Sequence, residues 1–268
     1  MSFASVSFLL FFLVVLLLLL LVQRVLPFAE IKRRIICQGI LLIASYVFYG
    51  WWNMRLCLLL MGITWISFFT AGKKDEKHLR QSRISLLIGV GTPLAVLGIF
   101  KYYDFFVTSF CDVFHLTPGV LNLILPVGIS FYTFQALSYT IDVYTGKIEK
   151  EKSFLQFALY LSFFPQLVAG PIVKASEFLP QLKENRKVTL VGLESGIQIF
   201  VFGMFKKVVL ADNISVFVDE VYRSPQIFGS GTVALAVAAY SIQIYMDFSG
   251  YSDMAIGCAK CMGYELPV

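Results

Sequence analysis

The stretch Tyr240–Ala255, YSIQIYMDFSGYSDMA, decides how this chain is read, because it lies inside the long apolar run from Gly231 to Met262. Wound as a helix at about 100° per residue, it puts Tyr240, Gln243, Asp247, Tyr251 and Met254 on one narrow face and turns Asp253 nearly the opposite way. An aspartate near mid-bilayer costs about 2.5–3.5 kcal/mol on insertion scales. Ionisable groups inside a membrane therefore face a cavity or a partner and mark function. The stripe reads as the wall of a polar passage, and Gly250 beside Ser249 reads as a kink that brings Asp253 toward it.

The rest of the chain agrees with a membrane setting. Of its 268 residues 58% are hydrophobic and 15% charged, against about 25% charged in a soluble domain. Ser5 to Val22 is an uncharged run of Leu, Val and Phe, close to the roughly 20 residues that cross a bilayer core. Met1 to Ser7 carries no Lys or Arg, and Val22 runs into Gln23 and Arg24 without a small-residue cleavage site, so the run is a first transmembrane helix and not a secretory signal. The net charge of +5 sits in short clusters between apolar runs, where topology determinants sit, which argues against a nucleic-acid partner. Five cysteines, with Cys258 and Cys261 as an isolated CxxC and no second Cys or His pair, give neither a disulfide framework nor a metal site.

Hydropathy and breakers divide the chain into a single all-α transmembrane domain with spans at about 5–22, 35–52, 56–71, 84–100, 120–144, a broken element at 154–173, then 192–218 and 231–262. The loops holding Arg24 to Arg34 and Lys73 to Arg83 are rich in Lys and Arg, whereas the turn between them holds only Arg55. The positive-inside rule then places the N-terminus outside and the basic loops in the cytoplasm. In the fifth span Tyr132, Gln135, Tyr139 and Asp142 share a face, giving a second polar stripe. The segment Phe154 to Val173 is interrupted by Pro165, Gly170 and Pro171 and flanked on both sides by lysines. A broken or re-entrant element with Gln166 at its turn fits, since non-helical backbone at membrane depth needs protein or a water-filled cavity around it. Lys206 and Lys207 interrupt the seventh span and read as residues that snorkel to lipid headgroups.

Four strings, LPVGISFYTFQALSYTIDVYTGKIE (125–149), FFPQLVAGPIVKASEFLPQL (163–182), FGMFKKVVLADN (202–213) and YSIQIYMDFSGYSDMAIG (240–257), resemble the membrane-bound O-acyltransferase family in its bacterial alginate O-acetyltransferase-like branch. The resemblance implies helices around a funnel or tunnel in the bacterial plasma membrane and no bound cofactor. It implies an acyl thioester donor on the cytoplasmic side, acetyl-CoA or an acyl carrier, and a hydroxyl of an envelope polysaccharide outside as acceptor. A separate extracytoplasmic acyltransferase is an implied partner. A tunnel histidine is the implied general base. His78 and His115 lie in loops and match no such motif. The chain then corresponds to the N-terminal part of such an enzyme, truncated before the base, with no catalytic residue of its own and no activity alone. Its tunnel-lining candidates are Gln166, Gln243, Asp247, Tyr251, Asp253, Gln135, Tyr139 and Asp142. Polar stripes beside a broken helix also describe a transporter or flippase, and a membrane scaffold for envelope modification is a third reading.

Overall fold

A computed structural model describes residues 1–75, 78–114, 119, 121, 123–168 and 170–267; His115 and Lys77 lie outside them. Every regular element among the described residues is helical. The α-helices among them are α1 (Val6–Leu20), α2 (Glu30–Gly50), α3 (Met54–Thr70), α4 (Leu79–Phe114), α5 (Ile129–Thr145), α6 (Phe154–Ser162), α7 (Phe164–Leu167), α8 (Ala175–Lys183), α9 (Leu190–Met204), α10 (Asp212–Arg223) and α11 (Ser230–Cys261). Wider π-helical turns extend α1 over Leu21–Val25 and join α9 to α10 over Phe205–Ala211. Among the described residues three helices are long and apolar enough to cross a membrane: Val6–Val25, Leu79–Phe114 and Ser230–Cys261.

The helix starts follow from local chemistry. Ser5, Asn53, Ser153 and Thr189 each turn a side-chain oxygen onto a backbone N–H in the first turn of the helix that follows, satisfying a donor that the helix itself leaves open. The two largest differences from the hydropathy reading fall on the fourth and fifth helices. The fourth helix does not stop near residue 100 but continues to Phe114, because Lys101, Asp104 and Asp112 end the apolar run without ending the backbone ladder. The fifth begins at Ile129 and not at 120, after Pro126 and a left-handed Gly128.

The chain forms two compact units. The first joins Met1–Ile40, Ala169–Pro171 and Asn185–Val268; the second joins Leu41–Val168 and Ile172–Glu184. In the first, α11 lies against α9 along a seam of glycines. A Cβ on Gly203 would sit 2.6 Å from the Gly250 carbonyl oxygen, and one on Gly257 would sit 2.6 Å from that of Gly196. Small residues at these crossings let the two backbones touch. α11 passes through Ser249 and Gly250 as continuous helix, so Gly250 serves close approach where the sequence reading placed a kink.

In the second unit α5 packs with α4, α3, α6 and α8. Its interior is aromatic: the Tyr139 and Phe157 rings lie 4.5 Å apart, and Phe163 and Phe178 lie 4.9 Å apart. Gly128 has φ +75°, and a Cβ there would collide with the Leu167 carbonyl oxygen. That position takes glycine both for its left-handed backbone and for its contact with α7.

Candidate functional site

Polar groups gather in each unit. In the first, they sit where the π-helical turn meets α11. The wider turn, closed by the Asp212 N–H donating to the Lys207 carbonyl, presents Lys206 and Lys207 in different directions. Lys206 Nζ lies 2.6 Å from Asp253 Oδ2 and donates to Ser249 Oγ at 2.9 Å. Lys207 Nζ lies 2.6 Å from Asp247 Oδ1 and 2.9 Å from Asp212 Oδ1. Gly250 makes this possible, because a Cβ there would stand 3.0 Å from the Lys207 backbone nitrogen. π-bulges recur at functional positions in helices.

The lysines are therefore ion-pair partners, where the sequence reading had them reaching for headgroups. Pairing offsets much of the cost of placing these five charges among apolar helices. It also brings into one cluster two aspartates that helical periodicity had separated, since adjacent lysines each reach one of them. Of the other candidates on α11, Gln243 is half-buried and its Oε1 has no hydrogen-bond partner. Tyr251 places its hydroxyl 3.3 Å from Ser2 Oγ and its ring 5.5 Å from that of Phe3.

The second unit holds the broken element. α6 ends at Ser162, and after Phe163 the chain makes the four-residue α7 with Pro165 in its first turn, where proline's lost N–H is not missed. Ser45 Oγ receives the Phe164 N–H at 3.1 Å and itself donates to the Leu41 carbonyl at 2.8 Å. A single serine hydroxyl thus repairs one of the backbone groups freed by the break. Gln166, fully buried, donates from Nε2 to the Tyr160 carbonyl at 2.6 Å, while its Oε1 has no partner.

Gln135 is more exposing of a polar need. It is 1% exposed on α5, and neither its Oε1 nor its Nε2 is hydrogen-bonded; the Oγ1 of neighbouring Thr133 is unpartnered too. Buried polar atoms in native proteins are almost always satisfied, by protein or by ordered water, and each one left alone costs about 1–3 kcal/mol. Tyr139 and Asp142, by contrast, have structural tasks. Tyr139 Oη accepts the Glu151 N–H at 2.9 Å. Asp142 accepts from Ser138 Oγ at 3.5 Å and sits 3.4 Å from Lys147 Nζ at the helix end.

Glu151, absent from the sequence candidates, is the hub of this region. Its carboxylate is 4% exposed, accepts the backbone N–H groups of Lys152 and Ser153 at 2.8 and 3.0 Å, and pairs with Lys183 Nζ at 3.0 Å. It ties the start of α6 to α5 and α8. Nearby, burial lowers the Lys150 ammonium from its ordinary value; its Nζ lies 5.7 Å from the centre of the Phe68 ring. The signal available in sequence was only a Glu two residues before a serine cap. His78 pairs with Asp75 at 3.0 Å in an exposed turn.

An all-helical chain with crossing-length apolar helices, paired charges between them and unpartnered amides inside them defines a polytopic membrane protein. Residues 148–266 match the model of the membrane-bound O-acyltransferase family, and this part of the chain belongs to that family. It is 39% identical over 234 residues to a probable alginate O-acetylase of Pseudomonas putida, covering 84% of this chain and 47% of that protein. It is 38% identical over 234 residues to the Pseudomonas aeruginosa counterpart, with 84% and 44% covered. It is also 36% identical over 255 residues to a peptidoglycan O-acetyltransferase of Helicobacter pylori, with 85% and 48% covered. The chain thus spans about half the length of the curated relatives it matches.

Proposed function

We propose that these residues form part of a membrane-bound O-acyltransferase that moves an acyl group, acetyl by analogy with the named relatives, from a cytoplasmic thioester to a hydroxyl of an extracytoplasmic envelope polymer. The observation that carries this reading is the pair of buried glutamines, Gln135 on α5 and Gln166 in the broken α6–α8 segment, with three unpartnered amide atoms between the two of them. A dry apolar interior does not hold such groups without return. A wet passage around the break does, and it supplies the polar surroundings that non-helical backbone needs at membrane depth.

In the transfer, the acceptor oxygen attacks the thioester carbonyl, the new C–O bond forms as the C–S bond breaks, and the hydroxyl proton ends on the departing thiol. Free glutamine Nε2 and Oε1 atoms suit both partners, as donor to a carbonyl oxygen and acceptor from a hydroxyl. The proton-accepting step is assigned to the whole protein, since His78 is occupied with Asp75 in a loop. With the N-terminus outside, the ends holding Glu30, Lys187 and Lys260 face the cytoplasm, and a separate extracytoplasmic acyltransferase fits as the next carrier.

The test is reconstitution of the full-length protein in liposomes with radiolabelled acetyl-CoA inside and a polysaccharide acceptor outside. Label on the acceptor is expected, and its loss in Gln166→Leu with the protein still folded. Movement of acceptor or donor across the membrane with no covalent label would replace this reading with transport.

A further inference from the structure

The turn between α2 and α3 is short and capped. Asn53 Oδ1 accepts the Arg55 N–H at 3.0 Å, and Cys57 Sγ reaches the Tyr46 carbonyl oxygen at 3.7 Å, joining the two helices. Gly50 lets them close up, since a Cβ there would stand 3.0 Å from Met54 Sδ and 3.2 Å from Cys57 Sγ. Along this hairpin, within the second unit, runs a groove of about 850 Å³. Ile43 and Val47 of α2 line it one helical turn apart, Met54, Leu58 and Met61 of α3 line it with the same period, and α6 adds Phe154. Phe154 marks the end away from the turn, its ring 5.3 Å from that of Phe68 in the last turns of α3.

Charge and depth together name an occupant. Of the described residues that line the groove Arg55 alone is charged, and among the described residues its guanidinium enters no ion pair and no hydrogen bond. It stands at the turn beside Trp51, which is exposed, the kind of aromatic residue that settles at a headgroup boundary. From Trp51 back to Leu42 the groove extends about 14 Å at the helical rise of about 1.5 Å per residue. One leaflet supplies about 15 Å of a hydrocarbon core about 30 Å thick. A hollow with such apolar walls does not hold water, which needs polar partners, whereas lipid tails are as apolar as the leucine side chains they would touch. The volume lies within the range of organic ligand sites. One unpaired cation at the mouth of an apolar groove one leaflet deep complements a molecule with an anionic head and an alkyl chain.

We propose that this groove holds a phospholipid with an anionic headgroup, its phosphate paired with Arg55 and one acyl chain laid along α2 and α3 toward Phe154. With the N-terminus outside, it is a lipid of the outer leaflet, and it is neither donor nor acceptor in the transfer step. The chain lies against Phe154 and Ala158 and braces α6 just before the backbone breaks at Phe163. The site rests on the membrane setting and not on the acyl-transfer reading.

The experiment reconstitutes the full-length protein in nanodiscs of equal phosphatidylcholine and phosphatidylglycerol with the same acyl chains, releases it into mild detergent and counts retained lipid by native mass spectrometry. Wild type is expected to keep phosphatidylglycerol in preference to phosphatidylcholine. Arg55→Gln should lower that retention about fivefold, the weight of one arginine near a headgroup. Lys101→Gln, at an exposed lysine outside the groove, should change it less than twofold. Leu58→Trp, which sets an indole in the groove and keeps Arg55, should remove it. Wild type that keeps no phosphatidylglycerol, or a monodisperse Arg55→Gln or Leu58→Trp variant that keeps as much as wild type, would overturn the proposal. A loss in Lys101→Gln as large as in Arg55→Gln would overturn it too, by making the preference a general surface effect. A protein that keeps the lipid but transfers no acyl group would sink only the enzymatic reading.

Discussion

The α9–α11 pair and the α6–α8 segment both carry polar groups among apolar helices, and they treat them oppositely. Along α9–α11, glycines bring the backbones together, and Asp247 and Asp253 are each matched by a lysine 2.6 Å away. Around α6–α8, the backbone is broken, Ser45 caps one loose N–H, and the amides of Gln135 and Gln166 are left with free atoms. A matched charge holds helices in register. On the proposed reading an unmatched buried amide meets something that is not protein, which would put the passage in the second unit and the clamp in the first.

The comparison breaks most sharply at the glycine seam. Gly203→Val would drive a side chain into the Gly250 carbonyl and the Asp253 Cβ, 2.6 and 2.8 Å from its Cβ, a cost of about 3 kcal/mol by overpacking. Loss of the monodisperse peak in fluorescence-detected size exclusion is expected. Gly62→Val, where a Cβ meets nothing within 4 Å, should keep the peak.

Next comes the clamp itself. The Lys206 and Asp253 side chains are 18% and 21% exposed, so Asp253→Leu strands a largely buried ammonium, at about 2 kcal/mol once partial solvation is allowed for. Thermal unfolding in nanodiscs should show the drop, and Lys206→Met added to it should restore most of the lost stability. A double variant no better than the single would mean that the pair does not hold the helices.

Smaller still is the effect at Glu151. Lys183→Met removes one of its partners but leaves the Lys152 and Ser153 N–H groups, so about 1 kcal/mol is expected, read in the same assay. The smallest stability change belongs to the glutamines. Gln135→Leu removes two unpartnered atoms and should leave stability within about 1 kcal/mol of wild type or raise it, while acyl transfer by the full-length protein falls at least tenfold. A stability loss with transfer intact would make Gln135 a packing residue.

Much of this was legible in the residues. Long uncharged runs gave the crossing helices, and Pro165, Gly170 and Pro171 marked the broken element, because backbone that lacks donors or side chains cannot hide its loss. What hydropathy missed was geometry that depends on a second chain segment. The lysines of α9's extension were read alone, so their aspartate partners, 40 and 47 residues away, stayed invisible (Lys207 to Asp247, Lys206 to Asp253). The seam had a signal that went unused: Gly196 and Gly203, and again Gly250 and Gly257, stand seven residues apart, a spacing that keeps both on one helix face. Gly250 reads as a hinge in sequence because a lone glycine in a helix serves either purpose, and only its neighbour decides. Tyr139 and Asp142 shared a face with Gln135 by periodicity, yet loop residues 147 and 151 occupy them, and loop partners carry no periodic signal.

The most direct test of the wet passage is thiol accessibility. In full-length protein with its native cysteines replaced, Gln135→Cys and Gln166→Cys would be exposed in sealed proteoliposomes to a charged, membrane-impermeant methanethiosulfonate, with Leu17→Cys, an exposed apolar position on crossing-length α1, as reference. Modification of both glutamine positions well above the Leu17 background is the expected result; modification of neither would show that these amides lie in a dry interior, and the account of the second unit would fail.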